Sequence, residues 1–141
     1  MFITLNDEQI RIGEEEDFFI NEDNVDGELC KAGRILSFYG TLAADLKAQS
    51  AAAKAALESF DASLAQEIRQ EFLIKKEKST EGMIKERVVS NKERKEIINK
   101  YIGAERDFQK AENLFRSQQK KVDCVISLSY KQRTEIAKSG F

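Results

Sequence analysis

Apolar residues recur along the middle of the chain at the spacing of an α-helix. Between about residues 26 and 76 the steps between apolar positions are mainly three, four or seven, which places them on one helix face. The segment "AADLKAQSAAAKAALES" adds many alanines, the best helix formers. The pattern predicts one long amphipathic helix, whose apolar stripe comprises Leu29, Leu36, Tyr39, Leu42, Leu46, Ala53, Leu57, Phe60, Leu64 and Ile68.

Two of the three glycines in the range of this predicted helix bear on its packing. Gly33 and Gly40 are seven positions apart and therefore share nearly one face. Each costs roughly 1 kcal/mol relative to alanine in a helix. Either a close helix–helix approach explains both, or they mark a break and the helix begins after Gly40.

A second stripe with more regular spacing starts near residue 90. "SNKE" (residues 90–93) matches a capping box, in which Ser90 and Glu93 satisfy each other's exposed amides. From Ile97 onward the steps alternate four and three, a 3.5-residue period typical of a left-handed coiled coil. Its polar members, Gln118 and Ser129, either fix the register or face water. The stripe comprises Ile97, Tyr101, Ala104, Phe108, Ala111, Phe115, Gln118, Val122, Val125 and Ser129.

The first 25 residues have a different pattern. "FITL" and "IRI" alternate apolar and polar residues around "NDEQ", which indicates either a short hairpin or an extended arm. The adjacent Phe18, Phe19 and Ile20 are expected to dock on a helix surface. Between the two long helices, Ser, Thr and Gly in residues 79–82 indicate a turn, and "MIKERVV" indicates a short helix or an extended segment.

These elements predict an all-α fold. Two long amphipathic helices form a helical hairpin or coiled coil, preceded by a short N-terminal arm that can include a small β element. We expect an acidic arm at residues 1–25 and a helical oligomerisation and nucleic-acid-binding domain at residues 26–141, in a single domain overall. Each long segment would extend on the order of 60–75 Å, and its stripe needs an equally long cover. We therefore predict a homo-oligomer with contacts through Ile97, Tyr101, Phe108, Phe115, Val122 and Val125.

Composition argues against several classes of function. The chain has no histidine, the commonest general base and metal ligand, and neither a GxxxxGK[ST] loop nor a GxGxxG motif. We expect no enzymatic activity, no catalytic or metal site and no cofactor. Cys30 and Cys124 are expected to be buried or half-buried thiols without a disulfide. The sequence contains no run of about 18 apolar residues, so we predict no membrane span. Its N-terminus is acidic, unlike that of a signal peptide, which favours a location in the cytoplasm.

The net charge of −2 is distributed unevenly. Residues 1–30 contain ten acidic side chains and one basic one, and residues 31–74 contain five of each. Residues 75–141 contain seventeen basic and ten acidic side chains. Such an asymmetry is typical of polyanion binding, or of pairing between halves or subunits.

The segment "IKKEKSTEGMIKERVVSNKERK" (residues 74–95) concentrates the positive charge. Lysine and arginine bind phosphates, and copies repeated around an oligomer would add avidity. The alternative is a solvated surface with Glu–Lys pairs four residues apart. The candidate DNA-binding side chains here are Lys75, Lys76, Lys78, Lys85, Arg87, Lys92, Arg94 and Lys95.

Three short sequences, in this order, resemble a known family. "DFFIN" (residues 17–21) ends the acidic arm, "KAALESF" (54–60) lies in the first helix, and "KSTEGMIKERVVSNKERKEI" (78–97) leads into the second. With these features most of the chain resembles the phage recombination mediator family of the UvsY type.

The resemblance implies a ring of six or seven subunits that binds single-stranded DNA cooperatively in a phage-infected bacterial cell. Such a protein weakens the hold of the phage single-strand binding protein and loads the phage recombinase in homologous recombination and repair, without metal, cofactor or hydrolysis. The family's first helix carries a Lys-x-Arg pair that contacts DNA, whereas this chain keeps Lys54 and has Ala56 in the second position. The DNA contact is therefore expected either at Lys54 or in residues 75–95.

A structural or adaptor coiled coil that binds no nucleic acid is the competing hypothesis. In that case the acidic head of one chain pairs with the basic tail of a neighbour. If DNA is bound, recognition is expected to be nonspecific, because the sequence contains no base-reading motif.

Overall fold

The computed structural model describes residues 1–140 and confirms a mostly helical chain. The N-terminal alternation forms an antiparallel hairpin in which Ile3 pairs with Ile10, so the alternative of an extended arm is wrong. Within residues 1–140, no helix combines the length and hydropathy needed to cross a membrane. In chain order the elements are β1 (Phe2–Leu5), β2 (Glu8–Arg11), α1 (Glu15–Phe18), α2 (Val25–Ile74), α3 (Glu81–Val89) and α4 (Lys92–Lys138), with a 3-10 turn at Glu22–Asn24 before α2.

Helix α2 runs without a break through Gly33 and Gly40. A Cβ atom added at Gly40 would lie 3.1 Å from the ring of Phe115 on α4, so two helices approach closely there. At Gly33 the same atom would meet nothing within 4 Å. Close approach is therefore confirmed for Gly40 and wrong for Gly33, and the alternative of a helix break is wrong.

The start of α4 differs by one residue from the predicted capping box. The side chain of Asn91 accepts a hydrogen bond from the backbone N–H of Arg94 at 3.1 Å, so Asn91 is the cap. Ser90 ends α3, where its hydroxyl donates to the carbonyl of Arg87. The predicted capping box at Ser90 is wrong. Ser90 and Asn91 are both residues that cap helices, but Ser90 ends α3, so Asn91 caps α4. The segment "MIKERVV" is helical, and Thr80 caps it by accepting from the N–H of Met83.

Residues 1–46 form one compact unit, unit 1, with the described residues from Asp107 onward. Between β1 and β2 the chain reverses at Asn6 and Asp7, whose φ angles of 51° and 65° are those a type I′ turn requires. The hairpin region, the first half of α2 and the part of α4 from Asp107 onward contribute to one apolar core. Its buried residues are Ile3, Ile12, Ile35, Tyr39, Leu42, Ala43, Leu46 and Ala111, with Phe18, Phe108, Leu114 and Phe115 packed against them.

Polar contacts hold the acidic arm within unit 1. The hydroxyl of Tyr39 accepts from the N–H of Gly13 at 3.0 Å and donates to the carboxylate of Asp17 at 2.8 Å. Burial raises the pKa of Tyr39 to about 12. Lys121 donates to the carbonyl of Asp17 at 2.8 Å and pairs with Glu28 at 3.2 Å. The side chains of this ion pair are only 3% and 11% exposed, so the pair is buried.

The three apolar residues of the arm behave differently from one another. Phe18 packs against the core, Ile20 is half-buried, and Phe19 is 68% exposed. The expectation that they dock on a helix surface is confirmed for Phe18, which contacts Tyr39 of α2 with ring centroids 5.9 Å apart. For Phe19 it is wrong.

The exposure of two cysteines differs from the prediction, and the burial of two polar residues decides between the alternatives stated for them. Cys30 and Cys124 are exposed free thiols, because each lies beside the stripe rather than on it, so the expectation of burial is wrong. Gln118 and Ser129 are 0% and 8% exposed. They do not face water, and the stripe continues through them.

Lys47–Arg106 form the other compact unit, unit 2. It contains the second half of α2, all of α3 and the start of α4. Ser50 donates to Glu105 at 2.6 Å and so joins the two long helices within this unit. A smaller apolar cluster lies between α2 and α3, built from Ile68, Phe72, Ile84 and Val88, with Leu64 and Ala65 packed against it.

Candidate nucleic-acid interface

All nine predicted DNA-binding residues belong to unit 2. Lys54 lies on α2, three lysines occupy the connection from α2 to α3, two residues lie on α3, and three lie in the first turn of α4. The two arginines and the seven lysines have different surroundings.

Arg94 is committed to an ion pair inside the unit. Its guanidinium donates to both carboxylate oxygens of Asp61, at 2.7 and 3.1 Å, so the pair is bidentate. These hydrogen bonds raise the pKa of Arg94 above its ordinary value. The two side chains are 18% and 30% exposed. Arg94 therefore joins α4 to α2, and because its charge is already paired with that of Asp61, it is poorly placed to bind a phosphate.

Arg87 contacts α2 in two ways. Its guanidinium lies 3.5 Å from the carboxylate of Glu71 and 5.0 Å from the centre of the Phe72 ring, a cation–π distance. Arg69, which the sequence analysis did not single out, pairs with Glu81 at 2.9 Å. These pairs are exposed and contribute at most about 1 kcal/mol each, but together they orient α3 on α2.

The seven lysines have no such partners. Their side chains are all exposed, and none of these side chains forms an ion pair or hydrogen bond within residues 1–140: Lys54, Lys75, Lys76, Lys78, Lys85, Lys92 and Lys95. None of these side chains pairs with a glutamate four residues away, so that part of the alternative is wrong, whereas their exposure agrees with its solvated surface. Their ammonium groups are available to a ligand.

Lys54 lies apart from the other predicted lysines. Twenty residues of α2 separate it from Ile74, which corresponds to on the order of 30 Å along the helix axis. Ala56, two residues after Lys54, is exposed on the same helix. Lys47 and Lys100 are also exposed and unpaired within residues 1–140, and the sequence analysis did not single them out. Exposed lysines therefore extend over unit 2 and are densest between α2 and α3.

The end of α2 has a backbone feature that the sequence analysis missed. The N–H of Lys76 donates to the carbonyl of Leu73 at 3.2 Å, and the N–H of Glu77 donates to that of Phe72 at 3.0 Å. This pair of bonds is a Schellman motif, in which the residue at the position of Lys76 is usually glycine. Lys76 has a φ of 54° there, which costs about 1 kcal/mol. No glycine marks this helix end in the sequence, so no local signal was present.

Two apolar side chains next to this motif are exposed. Leu73 is 75% exposed and Ile74 is 81% exposed, the highest values for large hydrophobic residues within residues 1–140. The sequence contains a signal for this exposure: Phe72 occupies the buried face, and each following residue is turned by about 100° around the helix. Leu73 and Ile74 therefore lie about 100° and 200° around the helix from Phe72, away from the face that Ile68 and Phe72 share.

The six predicted subunit-contact residues are all at least half-buried within the chain. Val125 is fully buried, whereas the other five are half-buried. Phe108 and Phe115 pack against the core of unit 1. Their role in contacts between subunits stays a prediction.

Comparison with known proteins finds no matching protein family, no matching curated protein and no matching solved structure. Within residues 1–140, no group of three or more His, Cys, Asp or Glu residues could hold a metal ion. The candidate interface is therefore defined by its own chemistry: exposed, unpaired lysines on a helical frame that arginine pairs hold together.

Proposed function

We propose that the protein binds single-stranded DNA as a homo-oligomer and acts as a recombination mediator of the phage type. In this role it helps to displace a single-strand binding protein and to load a recombinase. The observation that supports the proposal best is the set of seven exposed lysines in unit 2 without partners among residues 1–140. A polyanion is the ligand that such a surface fits, because each phosphate bound by a lysine releases a condensed counterion.

The division between lysines and arginines adds support. Arg87 and Arg94 are held by Glu71 and Asp61, so binding a strand through the lysines would leave the frame intact. Lysine ammonium groups bind phosphates as flexible point charges and read no base edges. This chemistry fits a mediator that must act along any sequence.

The first experiment measures affinity for a labelled oligo-dT across a salt series, with light scattering to follow oligomer size. The triple variant Lys75→Glu, Lys76→Glu, Lys78→Glu should lower the slope of log K against log salt by about two or more, since each single-strand contact contributes about 0.7. A control with Lys120→Glu, Lys131→Glu and Lys138→Glu makes the same charge change in unit 1, at exposed lysines without partners within residues 1–140.

One result would contradict the proposal, and another would contradict the location of the interface. Absence of oligo-dT binding at about 50 mM salt would rule out the polyanion role, and an oligomer that loosens in high salt would then favour the adaptor coiled coil. If both triple variants weaken binding equally, the interface is not concentrated at residues 75–78. Displacement of a single-strand binding protein is tested next by adding the protein to its complex with oligo-dT and following release.

A further inference from the structure

The exposed pair Leu73 and Ile74 is adjacent in the sequence to lysines of the candidate interface. It lies in the last turn of α2, directly before Lys75 and Lys76. The unpaired Lys78 follows two residues later, and Glu77 is the only acid between Leu73 and Lys78. Exposed aliphatic surface next to unpaired positive charge fits a ligand that has apolar and anionic parts side by side.

We infer that Leu73 and Ile74 contact the faces of DNA bases while the adjacent lysines bind the phosphates, so that this helix end selects single strands over duplex. The inference rests on the proposed binding of single-stranded DNA. Aliphatic side chains such as Leu and Ile insert between base steps in DNA-bending proteins, where separating stacked bases costs free energy. In a single strand the base faces are already accessible, so the same contact forms without that cost.

The backbone at Lys76 supports the same assignment. A glycine would fit its left-handed conformation without strain, yet a lysine occupies it. The Schellman hydrogen bonds fix this turn, so the ammonium group and the aliphatic pair start from a defined frame. If the ammonium group of Lys76 binds a phosphate, this explains why a lysine occupies a position that favours glycine.

The test compares affinities for a labelled oligo-dT and for a duplex of the same length at one salt concentration. We expect the variant Leu73→Ser, Ile74→Ser to lose about tenfold in affinity for the single strand, a loss that two aliphatic side chains can account for when a ligand buries them, and to keep its affinity for the duplex. Because both side chains are exposed, the variant should retain the helical circular dichroism spectrum. The matched control Met83→Ser, Val89→Ser removes exposed apolar residues from α3 of the same unit and should change neither affinity.

Two further variants test the charge at this turn. Lys76→Gly should weaken binding to both strands and leave the unfolding midpoint unchanged or higher, a combination that a purely structural lysine would not give. Glu77→Gln should strengthen binding, because it removes a negative charge beside the phosphates. Weaker binding of Glu77→Gln, or unchanged binding of Lys76→Gly, would remove the phosphates from this turn and overturn the inference.

The remaining outcomes separate this inference from the proposed function. If the unaltered protein binds no oligo-dT, the proposed function fails and the inference fails with it. If it binds and the serine variant keeps its preference for single strands, only the inference fails. Two results would also overturn it: loss of binding to phosphatidylcholine–phosphatidylglycerol vesicles with unchanged DNA affinity, and a smaller oligomer with equal losses for both DNA forms. The first would assign the pair to a membrane surface, and the second to a contact with a second copy.

Discussion

The two compact units differ in which basic side chains make their internal contacts. In unit 1, Lys121 is buried against Glu28 and the carbonyl of Asp17, and Lys110 pairs with Asp107 at 3.7 Å. In unit 2, arginines form the ion pairs that join the helices, and the predicted lysines are exposed without partners among residues 1–140. Unit 1 holds more acidic than basic residues, and unit 2 holds more basic than acidic ones.

The comparison shows that the number of basic residues says little about where charge is available. A buried lysine contributes to the fold only through its partner, since an uncompensated buried charge is strongly destabilising. An exposed lysine contributes little to stability and keeps its charge for a ligand. Substitution of the buried Lys121 should therefore change stability, whereas substitution of the predicted exposed lysines of unit 2 should change binding.

The largest effect is expected at the buried pair of unit 1. Lys121→Met leaves the carboxylate of Glu28 buried without its partner and should lower the free energy of unfolding by about 3–5 kcal/mol. Lys95→Met in unit 2 removes an exposed lysine and should change the free energy of unfolding by no more than about 0.5 kcal/mol. Urea denaturation of both variants measures the difference.

A double variant checks the reason for this effect. Glu28→Leu together with Lys121→Met replaces the pair by apolar side chains and should recover most of the loss. If Lys121→Met lowers the free energy of unfolding no more than Lys95→Met does, burial of the ion pair does not distinguish the two units, and the proposed difference between them is wrong.

The next effect concerns pH. Burial raises the pKa of Tyr39 from 10.0 to about 12, so the folded state favours the neutral phenol. The resulting stabilisation is complete below about pH 10 and is lost as the pH rises toward 12, on the order of 2 kcal/mol in total. Tyr39→Phe cannot ionise, so its deficit relative to the unaltered protein should shrink between about pH 8 and pH 11. A constant gap in urea denaturation across this range would exclude ionisation of Tyr39 as a source of the pH dependence.

The long helices could be predicted from the sequence because their signals are local. A stripe expected at about residues 26–76 corresponds to α2 at Val25–Ile74, and the second stripe falls within α4. Helical period and alanine content act over neighbouring residues, so no knowledge of distant contacts was needed. The cap of α4 was misplaced because Ser90 and Asn91 are both cap formers, and only the end of α3 distinguishes them.

The division of roles among the basic residues could not be predicted in the same way. Arg94 and Lys95 are adjacent in the sequence, yet only Arg94 meets a carboxylate, which Asp61 supplies from 33 positions away. The turn at Lys76 gave no glycine signal, and its conformation depends on the hydrogen bonds that end α2. The basic region could be located from the sequence. Which of its residues pair with carboxylates and which stay exposed depends on contacts between distant segments.

The smallest effect separates frame from ligand surface at a single residue. Arg94→Lys keeps the charge but cannot form both hydrogen bonds to Asp61, so the free energy of unfolding should fall by about 1 kcal/mol or less, given the partial exposure of the pair. Affinity for oligo-dT should stay unchanged, because Arg94 is expected to bind Asp61 rather than DNA. Lys92→Arg, two residues earlier, should change neither quantity, since Lys92 is exposed and has no partner among residues 1–140. Lower DNA affinity of Arg94→Lys at unchanged stability would place Arg94 in the interface, and the proposed division between arginine frame and lysine surface would then be wrong at this position.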